Sequence, residues 1–280
     1  MKELIVPNKY NNKKICNFIL DNFSDLKQST LFKALRQKDI RINDKRINSN
    51  EIVHTNDIVK IYIDDKLLYP SPKIDIIFED QNLLIVNKPS GIEVEGSHSL
   101  TNIIQELYPS TSPCHRLDRN TSGLIIFAKN DTALQIMFDK FKNHEILKYY
   151  KCTVYGITKE KHKILRAYLF KDTKKSLVYI SDTPKPKYRE IITEYTILSS
   201  NKDENTSKLE ILLHTGRTHQ IRAHLAHIGL PIIGDGKYGN NEINKHFNKK
   251  TQDLTSYKII FNFTTDAGQL NYLNKKIIEL

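Results

Sequence analysis

Hydrophobic and polar positions divide the chain near residue 70. Before that point the pattern predicts two short helices and then a small strand-rich segment. In "LFKALRQKD" (31–39) the apolar residues recur at helical spacing, and Ser29 or Thr30 is placed to cap the helix. "IRINDKRI" (40–47) alternates around Asn-Asp, which is typical of a β-hairpin, and "NDIVKIYI" (56–63) predicts one more strand.

These elements predict a small α/β domain over residues 1–66, followed by a larger domain over residues 67–280. "DDKLLYPSPK" (64–73) contains two prolines and is predicted to be the linker. In the larger domain strands outnumber helices and do not alternate regularly with them. The pattern therefore predicts an α+β fold with a mostly antiparallel sheet.

The strands of the larger domain are continuous apolar runs or alternating segments. Two apolar strands flank the polar turn "EDQN" (79–82), and "LIIFAKN" (124–130) is predicted to be a buried strand. Further strand-like segments are "LKYYKCTVYG", "SLVYIS", "EIITEYTIL" and "KLEILLH".

Three helices are predicted among these strands. "SLTNIIQELYP" (99–109) ends at a proline, and "NDTALQIMFDKFKNHEI" (130–146) begins at an Asn or Asp cap. We expect the apolar stripe of the second helix to comprise Leu134, Phe138 and Phe141, and that of "RTHQIRAHLAHIG" to comprise Ile221, Leu225 and Ile228.

Composition adds a strong positive charge to this picture. The 280 residues include 43 Lys and Arg against 32 Asp and Glu, giving a net charge of +11, which favours a polyanionic partner such as nucleic acid. Three cysteines without a CxxC pair suggest no disulfide framework and predict a reducing cytoplasm. The sequence shows neither a signal-peptide pattern nor an apolar segment of membrane-spanning length, so we expect no membrane association.

Much of the positive charge lies in one short stretch of the first domain. Residues 27–46 contain seven Lys and Arg and two Asp, a density that phosphate contacts explain better than a solvated helix face. The stretch resembles the RNA-binding domain named after ribosomal small-subunit protein four, with Asn56 where that family usually has glycine. The residues predicted to contact RNA are Lys33, Arg36, Lys38, Arg41, Lys45 and Arg46.

Two motifs of the larger domain suggest a dinucleotide site and a zinc site, but the neighbouring residues that such sites require are missing. "GDGKYG" (234–239) fits GxGxxG, yet no clear helix opens there and no suitable acid follows, so we predict a turn. The histidines 214, 219, 224 and 227 invite a zinc site, but Arg217 and Arg222 lie among them and no carboxylate stands at ligand spacing. We therefore predict no metal site.

"HRLDRNTSG" (115–123) places Asp118 in a tight polar loop before a buried strand. Taken alone, Asp118 could simply pair with Arg116 or Arg119. Three further segments can be considered with it: "LLIVNKPSG" (83–91), "KYYKCTVYG" (148–156) and "HTGRTHQIRAHLAHIGLPIIGDGKYG" (214–239). Together these segments resemble the RluA family of ribosomal pseudouridine synthases, in the family's order.

The resemblance implies a pseudouridine synthase fold and an isomerase that converts uridine in RNA, with Asp118 as its catalytic carboxylate. Arg222 is implied as the partner that keeps Asp118 charged, and Tyr150 as the ring that stacks on the base and assists proton removal from carbon five. The carboxylate can attack the anomeric carbon or remove a proton from the sugar. The reaction changes no oxidation state and transfers no phosphate, so we expect neither cofactor nor metal. Further substrate-binding residues are expected to be His115, Arg116, Leu117, Thr121, Arg217, His219, Gln220 and Lys88, the last of which would shape the rim of the pocket.

The same residues are also compatible with two alternative functions. One is a non-catalytic RNA-binding factor for ribosome assembly, which would be expected to lack Asp118, Tyr150 or Arg222. Another is a metal-dependent nuclease, which would need paired carboxylates for its ion. The expected partner is RNA, foremost the large-subunit (23S) ribosomal RNA, and the enzyme is expected to be a cytoplasmic monomer.

Overall fold

The computed structural model describes residues 1–69 and 72–280 of the chain and forms two compact units, Met1–Lys73 and Ile74–Leu280. The predicted linker, residues 64–73, includes Pro70 and Ser71, which lie outside the described residues. Its first part instead forms a short helix whose N-cap, Asp64, accepts a hydrogen bond from the backbone of Lys66.

The first unit is a small mixed domain in which two helices and a sheet share one apolar core. Its strand order is β1-β6-β3-β4, all antiparallel, and β2 pairs separately with β5. Its elements are β1 (Lys2–Ile5), a 3-10 helix (Asn8–Tyr10), β2 (Lys13–Lys14), α1 (Ile15–Asn22), α2 (Gln28–Arg36), β3 (Ile40–Ile42), β4 (Lys45–Ile47), β5 (Ile52–Val53), β6 (Ile58–Ile61) and α3 (Asp65–Leu68).

The predicted hairpin of the first unit is confirmed. Asn43 and Asp44 both adopt positive φ, 48° and 67°, as the two central residues of a tight hairpin turn require. The predicted cap of α2 is wrong, because the helix already begins at Gln28 and Ser29 lies inside it. It also ends at Arg36 rather than at residue 39. There Lys38 turns left-handed and the backbone N–H groups of residues 38 and 39 close a Schellman motif.

The second unit is built on one large sheet. Its elements are β7 (Asp75–Glu79), β8 (Leu83–Lys88), α4 (Leu100–Leu107), β9 (Ser112–Pro113), β10 (Ser122–Ala128), α5 (Asp131–Lys142), β11 (Ile146–Tyr155), β12 (His162–Asp172), β13 (Leu177–Ser181), β14 (Arg189–Asn201), β15 (Thr206–Leu213), α6 (Gln220–His227), α7 (Asn241–His246), β16 (Leu254–Phe261), a 3-10 helix (Gly268–Leu273) and β17 (Ile277–Glu279). The strand order is β13-β12-β14-β15-β11-β16-β10-β8-β7, with β17 on β16 and β9 on β10.

The strand pairs of this sheet are antiparallel apart from the short parallel contact between β10 and β16. The predicted α+β class with a mostly antiparallel sheet is thereby confirmed. Strands β8 and β10 are apolar at successive positions because both faces of the sheet are covered. Leu84 and Phe127 join the core that holds α6, whereas Leu83 and Ile126 join the core that holds α5.

Two of the predicted helical stripes are confirmed only in part: Leu134 and Phe141 pack half-buried against the core and Ile221 and Leu225 are buried, whereas the third residue of each stripe is exposed. In α5 the cap at Asn130 is confirmed by its bond from the Ala133 N–H, but the buried side chains are Ala133, Met137 and Lys140, and Phe138 is exposed. Lys140 is buried because Glu145, at 2.8 Å, compensates its charge. The apolar periodicity of α5 predicts instead that this charged residue is exposed. In α6 six consecutive residues from Gln220 are buried, whereas Ile228 is exposed.

Candidate active site

Asp118 lies in the loop between β9 and β10, and the backbone fixes this loop tightly. The Thr121 N–H donates to the Asp118 carbonyl at 3.0 Å and closes the turn. Two residues later, Gly123 has φ +113°, and a Cβ atom there would lie 2.1 Å from the carbonyl oxygen of Ser256 on β16. Only glycine therefore allows β10 to leave the loop in contact with β16.

A second loop, residues 88–92, supports the Asp118 loop by hydrogen bonds. The Lys88 ammonium is fully buried and donates to the carbonyls of Pro89, Ile92 and Arg119 at 2.8–2.9 Å. Burial lowers the pKa of Lys88 to about 8, and the charge of Asp118 opposes the shift. We expected Lys88 to shape the rim of the substrate pocket, but the structure places it beneath the loop, as an internal support.

Arg222 connects Asp118 to a second carboxylate. Its Nη1 donates to Asp118 Oδ2 at 3.0 Å, while Nε and Nη2 donate to the two carboxylate oxygens of Asp235 at 2.7 and 2.9 Å. Burial alone would lower the pKa of Arg222, but Asp235 and Asp118 outweigh it, so the pKa is raised. Arg222 thus makes a two-pronged contact with Asp235 and a single hydrogen bond to Asp118, the partner that the resemblance implied.

Asp235 is a residue that sequence reasoning missed. It lies in "GDGKYG", which we predicted only as a turn, and its side chain is 1 % exposed. The N–H groups of Lys237 and Tyr238 donate to its Oδ1 at 2.8 and 3.1 Å. Burial would raise the pKa of Asp235, but Arg222 and these amides lower it. The one available signal was an acidic residue inside a glycine turn, which on its own indicates no partner.

His219 approaches Asp118 from the start of α6. It adopts a left-handed backbone (φ 53°), and its Nε2 lies 3.9 Å from Asp118 Oδ2. Its Nδ1 lies 2.8 Å from the Tyr238 hydroxyl, which accepts the Val178 N–H at 2.9 Å. Burial lowers the pKa of His219 despite the opposing charge of Asp118, which favours the neutral ring.

Tyr150 is buried on β11, where it pairs across the sheet with Ser256. Burial and, to a smaller extent, the charge of Asp118 raise the pKa of its hydroxyl, so the phenol keeps its proton at neutral pH. Tyr149 points to the opposite face, as the alternation predicts. It is half-buried, with Lys258 Nζ 4.2 Å from its ring centre.

These groups line a cavity of about 420 Å³ in the second unit. The lining includes ten of the eleven residues predicted for catalysis and substrate binding, and Lys88 is the one that is absent from it. It also contains residues that were not predicted, among them Lys148, Phe141, Lys142 and Gly216. The only carboxylate of the lining is Asp118, which Arg222 already contacts.

Several of the ten lining residues use their polar atoms within the protein. Gln220 makes four side-chain hydrogen bonds: it accepts two from the loop before α6 and donates two to β14. Thr121 accepts from the Gln252 amide at 2.7 Å, and His115 accepts the Ile126 N–H at 3.1 Å. Burial and the nearby Lys148 lower the pKa of His115 to about 3. Among these residues only Arg116 and Arg217 are exposed with free cationic groups.

Leu117 is part of the apolar core beneath the cavity. The four histidines considered for zinc have separate partners: Glu194 for His214, Tyr238 for His219, Thr193 for His224 and Asp182 for His227. The described parts of the chain contain no group of His, Cys, Asp or Glu that could hold a metal ion, and no helix there is long and apolar enough to cross a membrane.

Comparison with known proteins connects this site to one family. The family model for RNA pseudouridylate synthase matches residues 82–227. The chain is 33 % identical to the ribosomal large subunit pseudouridine synthase C of Buchnera aphidicola, covering 83 % of this chain and 79 % of that protein. It is 32 % identical to an uncharacterized RNA pseudouridine synthase of Mycoplasma genitalium, covering 92 % and 88 %.

A solved structure, human RNA pseudouridylate synthase domain containing 1, shares the fold with a TM-score of 0.61, at 22 % identity over 69 % of this chain and 80 % of that one. No finding supports the non-catalytic alternative. The chain belongs to the RNA pseudouridylate synthase family, in its RluA branch, and is an enzyme that isomerises uridine in RNA to pseudouridine.

Proposed function

We propose that this enzyme modifies specific uridines of large-subunit ribosomal RNA, with Asp118 as the catalytic carboxylate. The substrate class follows from relatives named for the large ribosomal subunit, one of which aligns with 83 % of the chain. The observation that carries the catalytic assignment is the contact of Asp118 with Arg222, whose other two donors are fixed on Asp235. A cation held in this way keeps its geometry when Asp118 changes charge during the reaction.

The chemistry requires one ionised carboxylate beside the sugar. Asp118 either bonds to the anomeric carbon as the glycosidic bond breaks or removes a proton from the neighbouring sugar carbon, and the freed uracil then rotates and rejoins through carbon five. Both routes need the charged form in a cavity from which the base excludes water, where a charge without a partner is costly in free energy. Arg222 supplies the compensating charge, and His219 Nε2 lies 3.9 Å from the same oxygen.

Tyr150 is assigned a binding role beside this carboxylate. Its ring forms part of the cavity wall, where stacking on the uracil would hold the base during rotation. Because burial keeps its hydroxyl protonated, Tyr150 acts as a donor and not as the base that removes the proton from carbon five. Arg116 and Arg217, exposed at the cavity rim, would hold the backbone of a nucleotide that has left its stack.

The first unit is proposed to be the S-four-like RNA-binding domain. Arg41 of β3 stands opposite Arg46 of β4 and opposite Lys60 of β6, so three cations lie side by side across three strands. Asp44 and Glu3 compensate Lys60, whereas Arg41 and Arg46 form no ion pair within the described residues. Neighbouring like charges without such partners destabilise a sheet and are best explained by a polyanion that covers them. The residues Lys33, Arg36, Lys38, Lys45 and Arg46 are exposed, and we call them, with Arg41, the basic face.

One experiment tests the substrate and the catalyst together. The purified full chain is incubated with transcribed large-subunit ribosomal RNA, small-subunit ribosomal RNA or transfer RNA, each labelled with tritium at uracil carbon five. We expect tritium release and newly mapped pseudouridines in the large-subunit RNA, and neither when Asp118→Asn replaces the parent. Modification of transfer RNA alone would refute the substrate class. Full activity of Asp118→Asn would refute the catalytic assignment.

A further inference from the structure

Lys148 occupies a position in the cavity that none of the assigned roles explains. It lies two residues before Tyr150 on β11, so both side chains point to the same face of the strand. Its Nζ lies 5.3 Å from the centre of the Phe141 ring. It is also close to Gly216, where an added Cβ atom would lie 3.4 Å from it. The side chain is half-buried in the cavity wall.

The ammonium of Lys148 has no anionic partner within the described residues, and no oxygen atom there accepts a hydrogen bond from it. The two fully buried lysines of this unit, in contrast, do have hydrogen-bond or ion-pair partners. Lys88 donates to three carbonyls, and Lys140 pairs with Glu145 at 2.8 Å. Burial lowers the pKa of Lys148 to about 8, so the group is still charged at neutral pH. A half-buried cation without an anionic partner is costly in free energy unless a bound ligand supplies that partner.

The surroundings of Lys148 select the kind of ligand. The other unpaired cations of the cavity, Arg116, Lys142 and Arg217, are exposed and can stay hydrated. Asp118 is the only carboxylate of the lining and Arg222 already contacts it, so no protein anion is left for Lys148. A uracil carbonyl would accept a hydrogen bond but leave the positive charge in place. A phosphate oxygen supplies both the acceptor and the opposite charge.

We propose that Lys148 binds a phosphate of the target nucleotide and thereby fixes the end of the nucleotide opposite its base. The proposal rests on the proposed function, since it assumes that the uracil stacks on Tyr150 beside Asp118. Lys148 then lies roughly 6.6 Å further along the same strand, a spacing that suits a base and the phosphate of one nucleotide. Lys148 is thus a substrate-positioning residue, and the phosphate that it binds is part of the RNA.

The test pairs changes in the enzyme with changes in the substrate. The RNA is a synthetic hairpin around a uridine that the parent enzyme modifies, prepared with ordinary phosphates or with a neutral methylphosphonate on the 5′ or the 3′ side of that uridine. The enzymes are the full-length parent, Lys148→Met, Lys148→Arg and, as a matched control, Lys174→Met, which removes an exposed lysine of the same unit that does not line the cavity. Tritium release gives kcat and KM, and thermal unfolding reports stability.

We expect Lys148→Met to raise KM roughly 10- to 100-fold with a smaller effect on kcat, as the loss of a charged hydrogen bond does. Lys148→Arg should retain most of the affinity, and Lys174→Met should change KM by less than about threefold, as an exposed charge away from the cavity does. One methylphosphonate RNA should weaken the parent by a similar factor and leave Lys148→Met unaffected. Lys148→Met should also be as stable as the parent or more stable, because an uncompensated buried charge is gone.

Independent, multiplying losses for both methylphosphonate RNAs would overturn the proposal, because Lys148 would then contact neither phosphate. A Lys148→Met protein that is less stable than the parent, with KM unchanged, would assign the residue a structural role instead. Failure of the proposed function is recognised separately, since the parent enzyme would then release no tritium from any ribosomal hairpin.

Discussion

The cavity around Asp118 and the basic face of the first unit place positive charge in opposite environments. In the cavity, the three donor groups of Arg222 are each directed at a carboxylate oxygen of Asp118 or Asp235. On the basic face, five of the six predicted cations are exposed. A compensated, buried charge fixes a geometry for chemistry, whereas exposed charges without partners attract a polyanion over a wide surface. Changes in the two regions should therefore affect different measured quantities.

The largest effect is expected for Asp118→Asn. The substitution preserves the shape of the side chain and an oxygen that can accept from Arg222, but it removes the charge that acts on the sugar. The rate of tritium release should fall by more than about 10³-fold, while the Kd for RNA changes by less than about threefold. Residual activity within tenfold of the parent would show that Asp118 is not the catalyst.

Arg222→Leu should affect both rate and stability. It leaves Asp235, which is fully buried, without its cation, and the free energy of unfolding should fall by about 3–5 kcal/mol. Arg222→Lys should recover only part of this loss, because one ammonium cannot reach both Asp235 oxygens and Asp118. Urea unfolding and single-turnover rates measure the two effects. Unchanged stability of Arg222→Leu would contradict the buried pairing.

Asp235→Asn tests whether a residue that does not line the cavity acts through Arg222. The amide presents a donor toward the donors of Arg222, so the guanidinium should lose its fixed position. We expect kcat to fall roughly 10- to 100-fold with KM nearly unchanged. Asp182→Asn is the matched control, since that carboxylate is exposed and pairs only with His227 at the surface. Equal effects of the two changes would remove Asp235 from the site.

The pH dependence of KM should reflect Lys148. Its folded pKa of about 8 lies below the usual lysine value, so the ammonium is charged below about pH 8 and loses its proton as the pH rises through that value. KM for RNA should therefore rise above pH 8, by up to roughly tenfold. His115 is neutral throughout this range, because burial lowers its pKa to about 3, and the nearby cations Lys142 and Arg217 are exposed. The rise should disappear in Lys148→Arg, and its persistence there would assign it to another group.

The smallest effect for each residue is expected on the basic face. Replacing Lys45 and Arg46 by Gln should weaken RNA binding several-fold and lower the slope of log Kd against log salt by roughly 1.8, or about 0.9 for each lost phosphate contact. The rate at saturating enzyme should not change. An unaltered salt slope, measured by filter binding from low to moderate salt, would mean that this face does not contact RNA.

The sequence predicted those parts of the molecule that depend on local pattern. Strands β8 and β10, the helix after Ser99 and the hairpin at Asn43–Asp44 follow from apolar runs, a capping residue and turn chemistry. Strand β12 was not predicted, because its alternation is interrupted by charged and aromatic residues, and its pairing with β13 and β14 determines its structure.

Contacts between side chains that are far apart in the sequence could not be predicted from the pattern of hydrophobic and polar residues. Asp235 follows Arg222 by thirteen residues and Asp118 precedes it by 104, and only the tertiary fold directs both carboxylates at one guanidinium. The same holds for Lys140. The apolar periodicity of α5 predicted that this residue is exposed, whereas its ion pair with Glu145 allows it to be buried. Lys88 was predicted at the pocket rim from its motif, but the three carbonyls that hold it are visible only in the folded loop.

The division of roles between cavity and basic face is tested most directly by single-turnover tritium release from large-subunit ribosomal RNA at saturating enzyme. Three full-length proteins are compared: the parent, Asp118→Asn, and Lys45→Gln with Arg46→Gln. We predict a parental rate for the basic-face variant despite its weaker Kd, and no detectable rate for Asp118→Asn despite its parental Kd. A slow rate for the basic-face variant at saturation, or a measurable rate for Asp118→Asn, would contradict that division.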